Sequence, residues 1–432
     1  MTDHGHKDSP RPRHSCLRWI GLAGGAIVIG VAFLLLNGLG GWATANAAEP
    51  IKIGILLPKS GTYSVQGMYG YNGATIAVDD FGGKVLGRPI QLLWEDESNP
   101  QESVQRMRKL IEENKVVAVQ GGISSGNVLA MMPIAEQEKI LLLASDPNAT
   151  EITGKNCSRY TFRVDLPNRV TVRTVLPSLW DHGKNKRWYF LSASYAWGID
   201  AYRQMKDLLK KEHPEAEIVG EDQAPLGTTD FSSYLLKMRA ENPQVVFLGE
   251  GGTDLTAFLK QMHNMGMTQK VVVSSPILND SDLWAAGPEA STGIYPKLWN
   301  YTSPYNTPKS KEFVQKYEAK FKGSPEVNSW GDWFAMTSIL TAIQETRSTD
   351  AAKLVQFLES HKFVGYKDMP IYYRSWDHQL IQPTYVAQVK KDITSKYDYL
   401  NILAQEPAGG EKALNDFYGT EQESECHMGA LK

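Results

Sequence analysis

The stretch GGISSGNVLAMMPIAEQEKILLLASDPNATEIT, residues 121–153, decides how the chain is read. The residues just before it, VVAVQ at 116–120, form a short β-branched run that suits a buried strand. Gly121, Gly122, Ser124, Ser125 and Gly126 break that run into a turn. Val128, Leu129, Met132 and Ala135 then recur at helical spacing, residues 140–143 are again apolar, and Ser145-Asp146-Pro147-Asn148 makes a second polar turn. Two neighbouring parallel strands would bring both turns to the carboxyl edge of one sheet, where open α/β sheets bind ligands. The Ser-rich turn also opens a helix, so amides and hydroxyls converge on one spot and favour an anion. Burying a carboxylate without partners costs several kcal/mol, and each hydrogen bond to it returns roughly 1.5–3 kcal/mol. Two or three donors are therefore the minimum, and Ser124, Ser125 and the turn at Asp146–Asn148 can supply them. On these residues alone the alternative, a turn that only caps its helix, stays open.

The same alternation extends both ways. Residues 51–57 read as a strand, 73–81 as a helix, 90–94 as a strand and 101–113 as an amphipathic helix with Val104, Met107, Leu110 and Ile111 on one face. Gln66, just past the first turn, is either a reach toward the same sheet edge or an ordinary polar loop residue. A second series follows, with strands at 188–191, 217–220, 245–249 and 271–275 separated by helices at 199–211, 231–239 and 255–265. Two such series predict two lobes, each a parallel sheet covered by helices. Beyond Tyr295 the pattern changes to helices at 310–321, 330–347 and 352–360 and late strands at 372–374 and 384–390. Residues 403–432 lack clear periodicity and are expected to be irregular and wrapped on a lobe.

The chain has 432 residues, 42% hydrophobic and 22% charged, with formal net charge −3. That is ordinary for a globular protein and gives no basic surface for nucleic acid. Residues 1–47 stand apart. Lys7, Arg11, Arg13 and Arg18 precede an apolar run at 19–36, and Ala45-Asn46-Ala47 is an A-x-A cleavage signal, so a removed secretory leader is expected. The run is also long enough to span a membrane, which leaves retention by an uncleaved leader as the alternative. Of three cysteines, Cys16 falls in the leader. Cys157 and Cys426 remain, to pair in an oxidising compartment or to stay as two buried thiols.

Gly122-Ile123-Ser124-Ser125-Gly126 also fits G-x-S-x-G, the nucleophile elbow of serine hydrolases. The acid and base would have to come from Asp377-His378, adjacent and late in the chain, and no oxyanion segment precedes the serine. No phosphate-binding glycine loop occurs. The histidines lack metal-ligand spacing. Glu95-Asp96-Glu97 is either a metal site or a solvated turn, the turn being the plainer reading. Tyr195-Ala196-Trp197 follows the first strand of the second series and would face a cleft or pack in a core. Trp330 and Trp333 share a helix face that suits core packing.

IKIGILLPKSG, NGATIAVDDF, GGISSG, SDPNATEIT, YTFRV and SYAWGIDAY, in that order and spacing, resemble the leucine/isoleucine/valine-binding family of type I periplasmic solute-binding proteins. The resemblance covers residues 51–390. It implies two doubly wound, Rossmann-like α/β lobes joined by three hinge crossings, placed near 164–168, 297–301 and 375–379, with a ligand held between them. The lobes would comprise 48–166 with 300–376, and 167–299 with 377–402. The family's carboxylate-holding serine falls on Ser125, its backbone contact on Asp146, its threonine on Asn148 and its cleft aromatic on Trp197. Two positions depart: Gly251 stands for the family's second-lobe tyrosine and Pro276 stands near its ammonium-pairing acid, so Glu250 or Asp146 would have to supply that counter-charge. The implied function is that of a binding protein and not an enzyme, a monomer without a cofactor, holding a small carboxylate-bearing molecule such as an amino acid, an amide or an aromatic acid. Its implied partners are the membrane subunits of an ABC permease. A ligand-sensing domain for a signalling partner is the alternative that the same fold allows.

Overall fold

The computed structural model describes residues 48–182 and 186–431. The leader, with its apolar run and Cys16, lies outside the described residues. Among the described residues no helix is long and apolar enough to cross a membrane.

The first half is built on a six-stranded sheet. Strand β1 (Ile51–Leu57) is apolar and buried almost throughout, as a central parallel strand must be. Helix α1 (Ser64–Asp80), the short strand β2 (Lys84–Val85), β3 (Arg88–Asp96) and helix α2 (Pro100–Glu112) follow. Asn99 caps α2 by accepting the Glu102 amide, with Pro100 at the first helical position. Then come β4 (Ala118–Gly121), α3 (Ser125–Glu138), β5 (Leu141–Ala144) and β6 (Thr161–Arg163). The sheet order is β2-β3-β1-β4-β5-β6, parallel from β3 to β6, with β2 folded back antiparallel on β3.

The chain then crosses to the second half. Helix α4 (Asn168–Asp181), β7 (Arg187–Ala193), α5 (Ala196–Glu212), β8 (Glu217–Ala224), α6 (Ser232–Glu241), β9 (Val245–Gly249), α7 (Gly252–Asn264) and β10 (Val272–Ser274) form a parallel sheet of order β10-β9-β7-β8 with helices on both faces. Helix α8 (Asp280–Ala286) and strand β11 (Ile294–Lys297) close this segment.

A second crossing returns the chain to the first half for α9 (Pro308–Phe321), α10 (Val327–Thr346), α11 (Ala351–Ser360), and the hairpin strands β12 (Lys362–Phe363), β13 (Ile371–Tyr373) and β14 (Leu380–Ile381). Sixteen of the 20 residues of α10 are buried, so it is a core helix that meets solvent only in its last turn, at Gln344 and Glu345. It lies close against α1 because that helix presents glycines to it: a Cβ at Gly73 would sit 2.0 Å from the Ser329 carbonyl oxygen. Trp330 and Trp333 are both buried in this core.

The third crossing comes at Gln382-Pro383, later than the sequence placement near 375–379. β14 pairs with β13 (Tyr373↔Leu380), so residues 374–379 are the turn of a hairpin that stays with the first half. Strand β15 (Thr384–Val389) then joins β11 and β16 (Leu400–Glu406) in an antiparallel sheet on the second half. The tail is not irregular: α12 (Glu411–Tyr418) and α13 (Glu421–Ser424) lie over the back of the hinge. Leu414 and Tyr418, four apart on α12, are its buried face, and Tyr418 Oη donates to the Gln382 carbonyl at 2.9 Å. Arg169 and Arg173 of α4 donate to the carbonyls of Glu423 and Phe417, and Arg374 to that of Gly419. The Cys157 and Cys426 sulfurs are bonded, with their Cα atoms 5.6 Å apart. The tail therefore touches both halves.

Candidate functional site: the mouth between the two halves

The carboxyl ends of β1, β3, β4 and β5 face those of β7, β9 and β10. The two rims meet through named contacts. Thr253 N donates to the Thr62 carbonyl at 3.2 Å, and the hydroxyls of Tyr63 and Tyr195 share a hydrogen bond of 2.6 Å. Gln66 Nε2 donates across the mouth to Asp282 Oδ1 at 2.7 Å and to Ser281 Oγ at 3.2 Å. Ser281 N donates to Glu326 Oε2 at 2.9 Å, and Thr150 N to Asp200 Oδ2 at 2.7 Å. Gln66 is thus a bridge between halves and not a loop residue facing solvent. Close approach of the rims depends on Gly252, whose φ is +62 and whose Cβ would lie 2.4 Å from the Thr62 carbonyl oxygen.

In the first half, the turn after β4 tucks beneath its helix because Gly121 and Gly122 both have positive φ; a side chain at Gly121 would strike the Leu56 carbonyl. The amides at the start of α3 do converge on a carboxylate, but it belongs to the protein. Glu97, at the end of β3, accepts from Ile123 N at 2.8 Å, Ser124 N at 2.9 Å and Asn127 Nδ2 at 3.1 Å. It is buried, and burial pushes its carboxyl up to about 8 against the pull of those three donors. The expectation that these amides are reserved for a ligand is corrected accordingly. The helix start is an anion cradle, and its anion is a side chain. Glu95 pairs with Lys109, and Asp96 accepts from Lys59 N and Ser60 Oγ, so the three acids diverge and do not gather about a metal.

Ser125 is fully buried, and its Oγ accepts the Ala149 amide at 3.1 Å, which leaves the hydroxyl proton to donate. Asp146 is turned the other way. Its carboxyl accepts from Ser145 Oγ at 2.9 Å and lies against Gly331 and Asp332 of α10, while its own amide donates to the Gly122 carbonyl. Burial, then the charge of Asp332, hold the Asp146 carboxyl well above the usual range. It is a buried acid packed against α10. Asn148 is committed at the first crossing, where its Nδ2 donates to the Leu166 carbonyl at 2.8 Å and its carbonyl accepts from Asn168 N.

The second half contributes a different group. Glu250 ends β9 at 1% exposure, and neither carboxylate oxygen has a hydrogen-bond partner. Burial, with the neighbouring charge of Asp254, raises it to about 9. Trp197, also buried, has an unpartnered Nε1. A Cβ at Gly251 would lie 3.3 Å from the Tyr63 ring and 3.7 Å from that of Trp197. The structure therefore brings Trp197, Glu250, Tyr63 and Tyr195 together at one end of the mouth, gathers Ser124, Ser125 and Glu97 in the first half, and leaves Asp146 and Asn148 outside both groups. Tyr63, Asp282 and Glu326 were not read from sequence as site residues, and Glu97 only as one of three acids in a turn or metal site.

The hydrolase reading of Ser124 finds no partners. The His378 ring stacks on Phe162 and is hydrogen-bonded to the Thr161 carbonyl and Glu359, and Asp377 is paired with Arg374. No catalytic acid or base is thereby offered to the turn.

Two parallel-sheet halves, three crossings and a mouth lined by buried polar groups define a hinged binding protein. The family model described as "Periplasmic binding protein" matches residues 50–394, and the chain belongs to that family. Within it the chain is similar to the Leu/Ile/Val-binding protein homolog 6 of Brucella melitensis, 24% identical over 377 residues that cover 85% of this chain and 94% of the relative. Among solved structures, a periplasmic binding protein from Burkholderia mallei superposes with TM-score 0.79 at 26% identity, covering 88% of this chain and 99% of the other. An amino acid ABC transporter substrate-binding protein from Pseudomonas fluorescens Pf-5 superposes with TM-score 0.77 at 25% identity, covering 88% and 100%. These relatives are substrate-binding proteins, not enzymes, and the family is periplasmic.

Proposed function

We propose that the chain is the exported solute-binding component of an ABC importer, a monomer that holds a small carboxylate-bearing organic molecule of the amino-acid kind between its halves and presents it to the permease. The observation that carries this reading is the mouth itself. Both sheets aim their carboxyl ends at it, its rims touch through bonds made across the gap, and polar atoms of Glu250 and Trp197 buried there have no protein partner. Buried polar groups are normally paired, so an unpaired set at a hinged interface marks a ligand-sized need. The hydroxyl proton of Ser125 and the side chain of Ser124 are the donors left for a ligand acid on the first half, with Trp197 covering the ligand from the second.

The test is a thermal-shift screen of the exported protein against amino acids, their amides and aromatic acids, followed by calorimetry on each hit. A ligand that binds only the folded form at 100 times its Kd raises stability by about 2.7 kcal/mol. A hit with micromolar affinity that enhances uptake through a membrane-embedded permease fits the proposal. Failure of every compound class to shift the melting temperature defeats it. N-terminal sequencing of the exported protein checks the companion expectation that the leader is removed and the protein is free in the periplasm.

A further inference from the structure

The two halves also meet at a second place, where acids of one face an acid of the other. Glu326 stands at the start of α10 in the first half and is fully buried. Its Oε2 accepts from Ser281 N of the second half at 2.9 Å, and its Oε1 has no partner. Asp280 and Asp282, on either side of Ser281 in α8, are buried as well. Lys297, at the end of β11, is already committed: its Nζ donates to Asp280 Oδ2 at 2.8 Å and to the Leu278 carbonyl at 2.7 Å. The remaining groups around Glu326 carry no charge. Gln66 of α1 donates to Ser281 and Asp282, and burial keeps the hydroxyls of Tyr69 on α1 and Tyr317 on α9 protonated. Three carboxyls thus face one ammonium with little water to screen them. Like charges repel strongly in such a space, and binding a proton relieves them. Burial, then the charge of Asp280, push the Glu326 carboxyl up to about 8, against the pull of Ser281.

This arrangement exists only while the halves touch. Parting them takes Asp280, Asp282 and Ser281 away from Glu326 and admits water, which returns its carboxyl to the ordinary range. We infer that closing of the two halves takes up a proton from solvent at Glu326, so that acid draws the mouth shut and alkali opens it through repulsion between Glu326 and the acids of α8. The inference rests on the hinged architecture and not on which solute is held. Its sign follows from linkage: a group that binds its proton more tightly in the closed form favours closing below its closed value and loses that effect as pH rises through it. The ratio of closed to open protein then falls roughly tenfold per pH unit between about pH 5 and 8. Glu97 behaves differently, because Ile123, Ser124 and Asn127, which hold it, belong to its own half and move with it. A solute enclosed between the halves is then held more tightly in acid and let go as the surroundings turn alkaline.

The test follows the gap between the halves in the ligand-free, full exported protein by double electron–electron resonance. Spin labels go on Gln105→Cys of α2 and Leu236→Cys of α6, two exposed positions on opposite halves, with the native disulfide left intact. The expected result is one distance population that dominates at pH 5.5 and gives way to a second, more open one by pH 9. Glu326→Gln cannot ionise and is expected to hold the closed distance at every pH. Glu326→Asp keeps a carboxyl and is expected to keep a pH-dependent opening, which separates loss of the acid from loss of fold. Asp282→Asn removes one facing acid and is expected to weaken the opening in alkali. It serves in place of Glu326→Gln if that variant does not melt cooperatively. Distances that ignore pH in the parent overturn the inference. So does an opening as large in Glu326→Gln, or in Asp282→Asn, as in the parent. Each of these results leaves the solute-binding reading standing, because that reading falls only with the ligand screen.

Discussion

A single oxygen, Ser125 Oγ, ties the first turn of α3 to the loop after β5 by accepting the Ala149 amide. Ser125→Ala leaves that amide buried without an acceptor. The expected loss is about 1–3 kcal/mol of stability, read as a lower midpoint in urea, together with at least a fivefold loss of ligand affinity by calorimetry. A variant that loses stability but binds as before would make Ser125 a structural residue alone. The corner that Ser125 occupies was legible because glycine, serine and an apolar run in that order have few other uses. Glu97 was not legible. Three consecutive acids look like a solvated turn, and only the folded sheet shows that the third meets the helix start on the next strand but one. The surroundings of Asp146 were hidden for a related reason: its neighbour Asp332 lies on α10, far along the chain, and no local pattern announces that the two acids meet.

At the scale of elements, the strands read well where burial was complete. IKIGILL and VVFLG have no polar face to confuse the period, and β1 and β9 follow them closely. Helix α4 was missed because NRVTVRTVLPSLWD is rich in β-branched residues and holds Pro177, a composition that favours extended chain until tertiary packing overrides it. Helix α12 was missed because it is short and only two of its residues, Leu414 and Tyr418, are buried. The start of α7 matters most for function. Gly252 lets that helix come to rest on the Thr62 carbonyl, so Gly252→Ala is expected to leave each half folded but to prop the rims apart. Ligand affinity should fall tenfold or more, and small-angle scattering with ligand should show a larger radius of gyration than the parent protein. Full compaction on adding ligand would refute this role for the glycine.

Across the whole molecule, a set of buried carboxyls ties stability to pH. Burial raises Asp332 to about 6, Asp282 to about 7, and Glu97 and Glu326 to about 8. A carboxyl whose folded value lies above its unfolded one binds its proton more tightly when folded. Its contribution is complete below about pH 4 and is lost as pH rises through the folded value. The melting temperature is therefore expected to fall between pH 6 and 8.5, and Glu326→Gln should flatten that fall; calorimetry across the range checks both. The bond between Cys157 and Cys426 acts at the same scale, since it closes a loop with a sequence separation of 269. Chain-entropy reasoning puts its contribution at up to about 5 kcal/mol, so a reductant or the paired Cys→Ser variant should lower the melting temperature. No change would mean the tail adds nothing to folding.

That same tail runs behind the hinge, anchored to α4 on one side and to Cys157 and Arg374 on the other. Three flexible crossings alone would let the lobes swing, twist and slide, whereas a fourth attachment placed opposite the opening restrains the last two and caps the first. The gape available to an incoming solute is then fixed from the rear, and a chain cut short before α12 should open wider and with less directional control.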